Sequence, residues 1–176
     1  MSEPAPIILD ASVAVAVIRD EPQAASIRAA LRRWSVSRRS LVAPSVFWLE
    51  VVNALARGQR QVGADALHAV HELDELGIAT VDLDRPQLLL TIDHVERYGL
   101  TAYDASYLAL AERLDGELAT LDRRLAGAAG HRAISFDERH RLSESPTVYE
   151  HDVTWPNYKG ASAYLAKLRA EAARPS

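Results

Sequence analysis

Short apolar runs and longer amphipathic stretches alternate along this chain. The apolar runs are bounded by polar or turn-forming residues and predict buried β-strands at 7–10, 41–44, 78–83, 117–122 and 131–136. Stretches with apolar residues three and four positions apart predict helices at 11–20, 23–34, 45–58, 64–77, 85–99 and 101–116. Strands that alternate with helices favour an α/β fold, with a mostly parallel central sheet between two helical layers.

The character of the sequence changes after Phe136. The segment that follows is polar and interrupted by proline and glycine, and it leads into a stretch, 161–173, with helical spacing of apolar residues. The 176 residues are enough for one domain to bury a core without disulfides. We therefore expect one domain at 1–142 and a C-terminal extension at 143–176, made of an extended segment and an amphipathic helix.

The amino-acid composition and charge exclude some classes of protein. The chain has no cysteine, which excludes disulfides and thiolate metal sites and fits a reducing cytosol. Its first residues lack the basic region of a signal peptide, and charges interrupt the longest apolar runs, so we expect no membrane span and a cytoplasmic location. The net charge of −4 argues mildly against a nucleic-acid-binding protein. Acidic residues that bind divalent cations would, however, be neutralised when the site is in use.

Four acidic residues stand in unusual places. Asp10 and Asp122 each follow an apolar strand, Asp104 lies at the start of the helix before the second of these strands, and Glu50 interrupts an apolar helix. Ligands of parallel sheets bind outside the carboxyl ends of the strands, so the fold could gather these side chains. Clustered carboxylates repel one another, and Mg²⁺ or Mn²⁺ would relieve the repulsion. A metal-bound water could then attack a phosphodiester.

Each acid also has a simpler explanation. Asp10 and Asp122 could be N-cap residues of the helices that follow them, and Asp104 could complete a capping box with Thr101. Glu50 could belong to a narrow polar stripe, with Asn53, that faces solvent. Capping acids are common, so each explanation is reasonable for one residue, but together they do not account for four acids in this arrangement.

Four segments together resemble the motif series of a known family. They are IILDASV at 7–13, PSVFWLEVVNAL at 44–55, TAYDASYLALAERL at 101–114 and ATLDRRL at 119–125. Their order and spacing resemble those of PIN-domain ribonucleases, particularly the VapC-type toxins of bacterial toxin–antitoxin systems. The resemblance covers roughly residues 7 to 136 and excludes the C-terminal extension.

The resemblance implies a PIN-like α/β/α fold and a metal-dependent endoribonuclease. It places the metal ligands on Asp10, Glu50, Asp104 and Asp122, with Mg²⁺ or Mn²⁺ as the cofactor. Smaller polar residues that would orient these ligands fall on Ser12 and Thr120, with Asn53 a weaker candidate. The implied partners are an RNA substrate, an antitoxin protein and a second copy of the chain in a homodimer.

Two other functions compete with this one. A phospho-acceptor receiver domain also combines a parallel sheet, strand-end aspartates and Mg²⁺, but such domains place a lysine after their last strand, and this chain has no lysine before Lys159. A catalytically silent interaction module with the PIN fold is the other alternative. The presence of all four acids weighs against it.

The C-terminal extension has its own prediction. Trp155 and Tyr158 would anchor an extended segment, and one face of the helix carries Tyr164, Leu165 and Leu168. A helix this short is marginal in water, so it should dock on something. We expect it to pack over the domain or its dimer mate and to restrain the nuclease by placing one of three cations in the acidic pocket: Lys159, Lys167 or Arg169. The simpler alternative is a helix that only extends the core or the dimer interface.

Overall fold

The computed structural model describes residues 4–57 and 63–136, which contain five strands, seven α-helices and a short 3₁₀ turn. The strands are β1 (Ile7–Leu9), β2 (Leu41–Pro44), β3 (Ala79–Val81), β4 (Glu117–Ala119) and β5 (Ala133–Ile134). The helices are α1 (Ala11–Ile18), α2 (Ala24–Val36), α3 (Val46–Ala56), α4 (Gly63–Asp74), α5 (Arg85–Tyr98), α6 (Ala102–Arg113) and α7 (Arg123–Ala129). The predicted C-terminal extension lies outside the described residues.

All five strands are parallel and lie in the order β3-β2-β1-β4-β5. The chain builds outward from β1 through β2 to β3, and then crosses back to place β4 on the other side of β1. Ile7 pairs with Leu41 in β2 and with Glu117 in β4. The direction of winding therefore changes between β1 and β4, and ligands of parallel sheets bind at such a point.

Helices cover both faces of the sheet. The three residues of β1 are all buried, although consecutive side chains of a strand point to opposite faces. Helix α6 packs against β1, β2 and β4 and lies along α5. Helix α1 packs against α2 and α3. The predicted PIN-like α/β/α fold with a central parallel sheet is confirmed.

The elements are shorter than the patterns predicted. The strand predicted at 131–136 has two residues in the sheet, Ala133–Ile134, and the one predicted at 78–83 has three. Both are edge strands, but β4, which was predicted at 117–122 and is paired on both sides, also has only three residues in the sheet. The helix predicted to stop at Gly58 ends at Ala56, and Gly58 itself lies outside the described residues.

The pairing of β1 with β4 requires a glycine. A Cβ atom on Gly116, just before β4, would lie 2.9 Å from the carbonyl oxygen of Pro6 and 2.4 Å from Cδ1 of Ile8. The Glu117 N–H donates a hydrogen bond of 3.0 Å to that same Pro6 oxygen. A side chain at position 116 would therefore push the two strands apart where they begin to pair.

Helix α5 places polar residues inward. Gln87, Thr91 and His94 are buried, while Leu88, Leu89 and Ile92 on the same helix are exposed. The neighbouring helix α6 supplies polar partners: the Gln87 amide donates to the Ser106 carbonyl at 3.5 Å, and Nε2 of His94 lies 3.1 Å from Oε2 of Glu112. Among the described residues, no helix is both long and apolar enough to cross a membrane.

Candidate active site

Two of the predicted acidic residues lie at the carboxyl ends of β1 and β4, and charge interactions relate Asp10 to Asp104 and Glu50. Asp10 directly follows β1, Asp122 follows β4 as the N-cap residue of α7, and Asp104 lies in the first turn of α6. Glu50 lies on α3, the helix after β2. The side chains come from four separate segments, and the change in winding direction between β1 and β4 gives them a common edge of the sheet.

Asp10 does not use its side chain as a helix cap. The residue occupies the N-cap position of α1, but its side chain makes no capping hydrogen bond. Oδ2 of Asp10 accepts two hydroxyl hydrogen bonds instead, from Ser12 at 2.5 Å and from Thr120 at 2.7 Å. Asp10 is only 6% exposed. The simple capping explanation therefore does not describe Asp10.

Backbone amides fix the direction of these two hydroxyl groups. The Leu121 N–H donates to Oγ of Ser12 at 3.0 Å, and the Asp122 N–H donates to Oγ1 of Thr120 at 3.0 Å. Because an amide N–H can only donate, each hydroxyl hydrogen is left to point at Asp10. The loop after β4 thus holds the Asp10 carboxylate through Ser12 and Thr120, the two residues predicted to orient ligands.

Asp122 and Asp104 do take part in capping. Oδ1 of Asp122 accepts from the Leu125 N–H at 2.8 Å and so caps α7. The Thr101 hydroxyl accepts from the Asp104 N–H at 3.1 Å and lies 2.7 Å from Oδ2 of Asp104. The capping explanation is thus correct for Asp122. For Asp104 only half of the capping box is present, because its carboxylate accepts from the Thr101 hydroxyl group and not from the Thr101 N–H. Each contact engages one carboxylate oxygen, which leaves the other available for a further role.

Glu50 has a partner that the sequence analysis missed. The hydroxyl of Tyr107 donates a hydrogen bond of 2.5 Å to Oε2 of Glu50. Tyr107 is fully buried on α6, three residues after Asp104. A tyrosine among leucine and alanine residues, on the same helix face as Asp104, was the available signal. Asn53 is exposed, and no hydrogen bond between described residues joins it to the acids.

Burial and mutual repulsion act on the central carboxylates. Burial raises the pKa of Asp10, hydrogen bonds from Ser12 and Thr120 oppose the rise, and the charge of Asp104 adds to it. Burial also raises the pKa of Glu50; the Tyr107 hydrogen bond opposes this, and the charges of Asp10 and Asp104 add to it. Asp10, Glu50 and Asp104 therefore share one negative field, in which a cation would be stabilised.

Each of the four acids keeps one carboxylate oxygen free of hydrogen bonds from other described residues. The engaged oxygens are Oδ2 of Asp10, Oε2 of Glu50, Oδ2 of Asp104 and Oδ1 of Asp122. Within residues 4–57 and 63–136, no group of three or more acidic or histidine side chains is arranged closely enough to hold a metal ion. The donors are hard carboxylate oxygens: Asp10 is buried, Glu50 and Asp104 are partly buried and Asp122 is exposed. Oxygen donors of this kind suit Mg²⁺ or Mn²⁺.

The sequence matches one protein family and is similar to two relatives that share one name. Residues 7–131 match the PIN-domain family. Over 128 residues the chain is 33% identical to "Ribonuclease VapC3" of Mycobacterium tuberculosis, a match that covers 72% of this chain and 90% of that protein. A segment of 30 residues is 60% identical to a protein of the same name from Pyrobaculum aerophilum, and it covers 17% of this chain and 23% of that protein.

Solved structures share the fold. A chain of a toxin–antitoxin complex from Klebsiella pneumoniae superposes with a TM-score of 0.58 at 16% identity, over 75% of this chain and 98% of that one. Mycobacterium tuberculosis VapC20, described as a toxin that cleaves the sarcin-ricin loop, superposes with a TM-score of 0.55 at 14% identity, over 69% of this chain and 94% of its own. At these sequence identities, the similarity to the solved structures shows a shared fold only.

Proposed function

The chain belongs to the PIN-domain family, and from this we propose that it is a metal-dependent endoribonuclease, the toxin component of a toxin–antitoxin system. The observation that supports the proposal most is the mutual charge repulsion of Asp10, Glu50 and Asp104, which come from three separate segments. The M. tuberculosis relative, which aligns over most of both chains, carries the name of a ribonuclease. RNA is therefore the proposed substrate.

The proposed metal ligands are the free oxygens of Asp10, Asp104 and Asp122, with Glu50 binding directly or through water. When bound, Mg²⁺ or Mn²⁺ would supply a water of lowered pKa and would neutralise charge on the phosphodiester. Ser12 and Thr120 hold Asp10 in one orientation, and the cap hydrogen bond from Leu125 does the same for Asp122. Ligands that are held in place beforehand lose less freedom when the substrate binds.

The proposed partners follow from the same family membership. A structural relative comes from a toxin–antitoxin complex, and we propose that an antitoxin protein covers this nuclease in the cytoplasm. We also propose a homodimer. Asn53 is the weakest of the proposed helpers, because its exposed side chain has no hydrogen bond to the four acids among the described residues.

The C-terminal extension is proposed to restrain the domain through Trp155, Tyr158, Tyr164, Leu165 and Leu168. RNA cleavage by the full chain should be compared with cleavage by a chain that ends at Leu142. Faster cleavage by the shortened chain, with an unchanged circular dichroism spectrum, is the expected result. Equal or slower cleavage would assign the extension to packing or dimer contacts.

The function is tested with purified protein and with cells. The wild type should cleave RNA with Mg²⁺ or Mn²⁺, stop in excess EDTA, and slow the growth of cells that express it, whereas Asp10→Asn should do none of these. Asp82→Asn is a matched control, because Asp82 also follows a strand, but that strand, β3, lies at the edge of the sheet. Cleavage at the full rate in EDTA would refute the metal-dependent mechanism, and equal cleavage by Asp10→Asn would refute the site.

A further inference from the structure

Tyr107 is a buried tyrosine whose hydroxyl group reaches the candidate active site. The side chain starts on α6 and is fully shielded from solvent, and its hydroxyl group reaches α3, where it donates to Oε2 of Glu50 at 2.5 Å. This hydrogen bond joins α6 to α3.

The direction of the Tyr107 hydrogen is determined by Glu50. An ionised carboxylate can only accept, so the hydroxyl hydrogen points at Oε2 of Glu50. This donor adds no charge of its own, whereas a lysine or arginine there would neutralise Glu50 and compete with a cation.

We propose that Tyr107 is a positioning residue that holds the Glu50 carboxylate by Oε2 and so presents Oε1 alone to a divalent cation or to its water. The inference rests on the proposed function, since it assigns Glu50 to that site. Asp10 is held in a similar way, because both of its hydroxyl partners bond to Oδ2 and leave Oδ1 free. Tyr107 does for Glu50 what Ser12 and Thr120 do for Asp10.

The test measures Mn²⁺ binding without RNA, by isothermal titration of the full chain. Tyr107→Phe removes the hydroxyl group and keeps the ring, and the expected result is a loss of about 10-fold in Mn²⁺ affinity with a similar loss in kcat, as for other residues that orient metal ligands. The KM for RNA should not change. Thr91→Val is the matched control: it removes another buried hydroxyl group, one that bonds to the Gln87 carbonyl on its own helix, and should leave Mn²⁺ affinity unchanged.

A second set of variants separates positioning from packing. If Tyr107 acts through Glu50, then Tyr107→Phe should lower Mn²⁺ affinity no further in a Glu50→Gln background. Incorporation of 4-aminophenylalanine at position 107 should restore binding, whereas 4-methylphenylalanine, which fills the same space without a donor, should not. These two variants at position 107 also test the inference if Tyr107→Phe folds poorly.

Three results would overturn the inference. They are unchanged Mn²⁺ affinity in Tyr107→Phe, an additional loss in the Glu50→Gln background, and equal binding by the two substituted phenylalanines. A failure of the proposed function would give other results. The wild type would bind Mn²⁺ but leave RNA intact, and Tyr107→Phe would still lower the Mn²⁺ affinity.

Discussion

The hydroxyl group of Thr120, after β4, donates a hydrogen bond of 2.7 Å to Oδ2 of Asp10, after β1. The two residues are 110 positions apart in sequence and are adjacent because β1 and β4 pair in parallel. The same hydroxyl group accepts from the Asp122 N–H, so the contact connects two of the proposed ligands. A threonine can do this because a hydroxyl group both donates and accepts.

Replacement of Thr120 by valine should therefore affect both proposed ligands. Thr120→Val keeps the shape, but Asp10 loses a donor and the Asp122 N–H loses its acceptor. We expect RNA cleavage to fall about 10–100-fold, as when other residues that orient metal ligands are lost. The unpaired amide should lower the free energy of unfolding by about 1–3 kcal/mol. Thr120→Ser is the control and should retain cleavage; a valine variant as active as the wild type would contradict the prediction.

Asparagine variants distinguish ligands from helix caps. Asparagine caps helices about as well as aspartate does. Asp122→Asn should therefore unfold at nearly the wild-type temperature, with α7 still capped, but should not cleave RNA. Asp10→Asn and Asp104→Asn should also be inactive and folded. Circular dichroism melts and RNA cleavage assays check both properties, and cleavage that persisted in all three variants would assign these residues to capping.

The stability of the metal-free protein should depend on Asp10 and on pH. Burial raises the pKa of Asp10 in the folded state, so above about pH 4 the folded chain binds more protons than the unfolded chain. Stability should therefore fall as pH rises from there to the folded-state pKa. Asp10→Asn removes this contribution. In EDTA at neutral pH the melting temperature of the variant should therefore be above that of the wild type, and the difference between the two melting temperatures should narrow towards pH 4. A gap that does not change with pH would contradict the prediction.

Divalent cations should reverse that order of stability. A cation that binds only the folded state at a concentration of 100 times its Kd adds about 2.7 kcal/mol to the free energy of unfolding. Mg²⁺ or Mn²⁺ should therefore raise the melting temperature of the wild type and have little effect on Asp10→Asn, at matched ionic strength. Equal shifts in the two proteins would mean that the cations bind elsewhere.

Gly116 tests the packing of β1 against β4. In Gly116→Ala the added methyl group would meet the Pro6 carbonyl and the Ile8 side chain, and such overpacking costs about 1–3 kcal/mol of stability. Gly127→Ala is the matched control, since a Cβ atom there meets nothing within 4 Å, and a helical alanine should stabilise by about 0.5–1 kcal/mol. Urea denaturation measures both. Similar stabilities would show that the strands can shift to make room.

The sequence predicted what depends on local pattern. Asp10 and Asp122 were visible as the first charged residues after the ends of buried runs, because a parallel strand buried on both faces is largely apolar. The partner of Glu50 was not predicted, since Tyr107 is 57 residues away and only the packing of α6 against the sheet brings it near. A local pattern carries no information about such contacts.

In helix α5 the buried side chains differ from those that the hydrophobic pattern predicts. Apolarity alone would bury Leu88, Leu89 and Ile92, yet Gln87 and His94 take the inner face. The Ser106 carbonyl on α6 accepts a hydrogen bond from Gln87 and so offsets part of the cost of burying it, whereas neither ring nitrogen of His94 has a hydrogen-bond partner among the described residues. The outcome depends on the partner helix, which the sequence of α5 does not specify.

The distance in sequence between Asp10 and Thr120 also bears on how the protein is made. Ribosomes add about 5–20 residues per second, so several seconds separate the synthesis of these two residues. Until β4 has emerged and paired with β1, Asp10 lacks its Thr120 donor and Asp122 does not yet exist at the sheet edge. The nascent chain would therefore be inert, and the cell would meet a working nuclease only after Thr120 has left the ribosome.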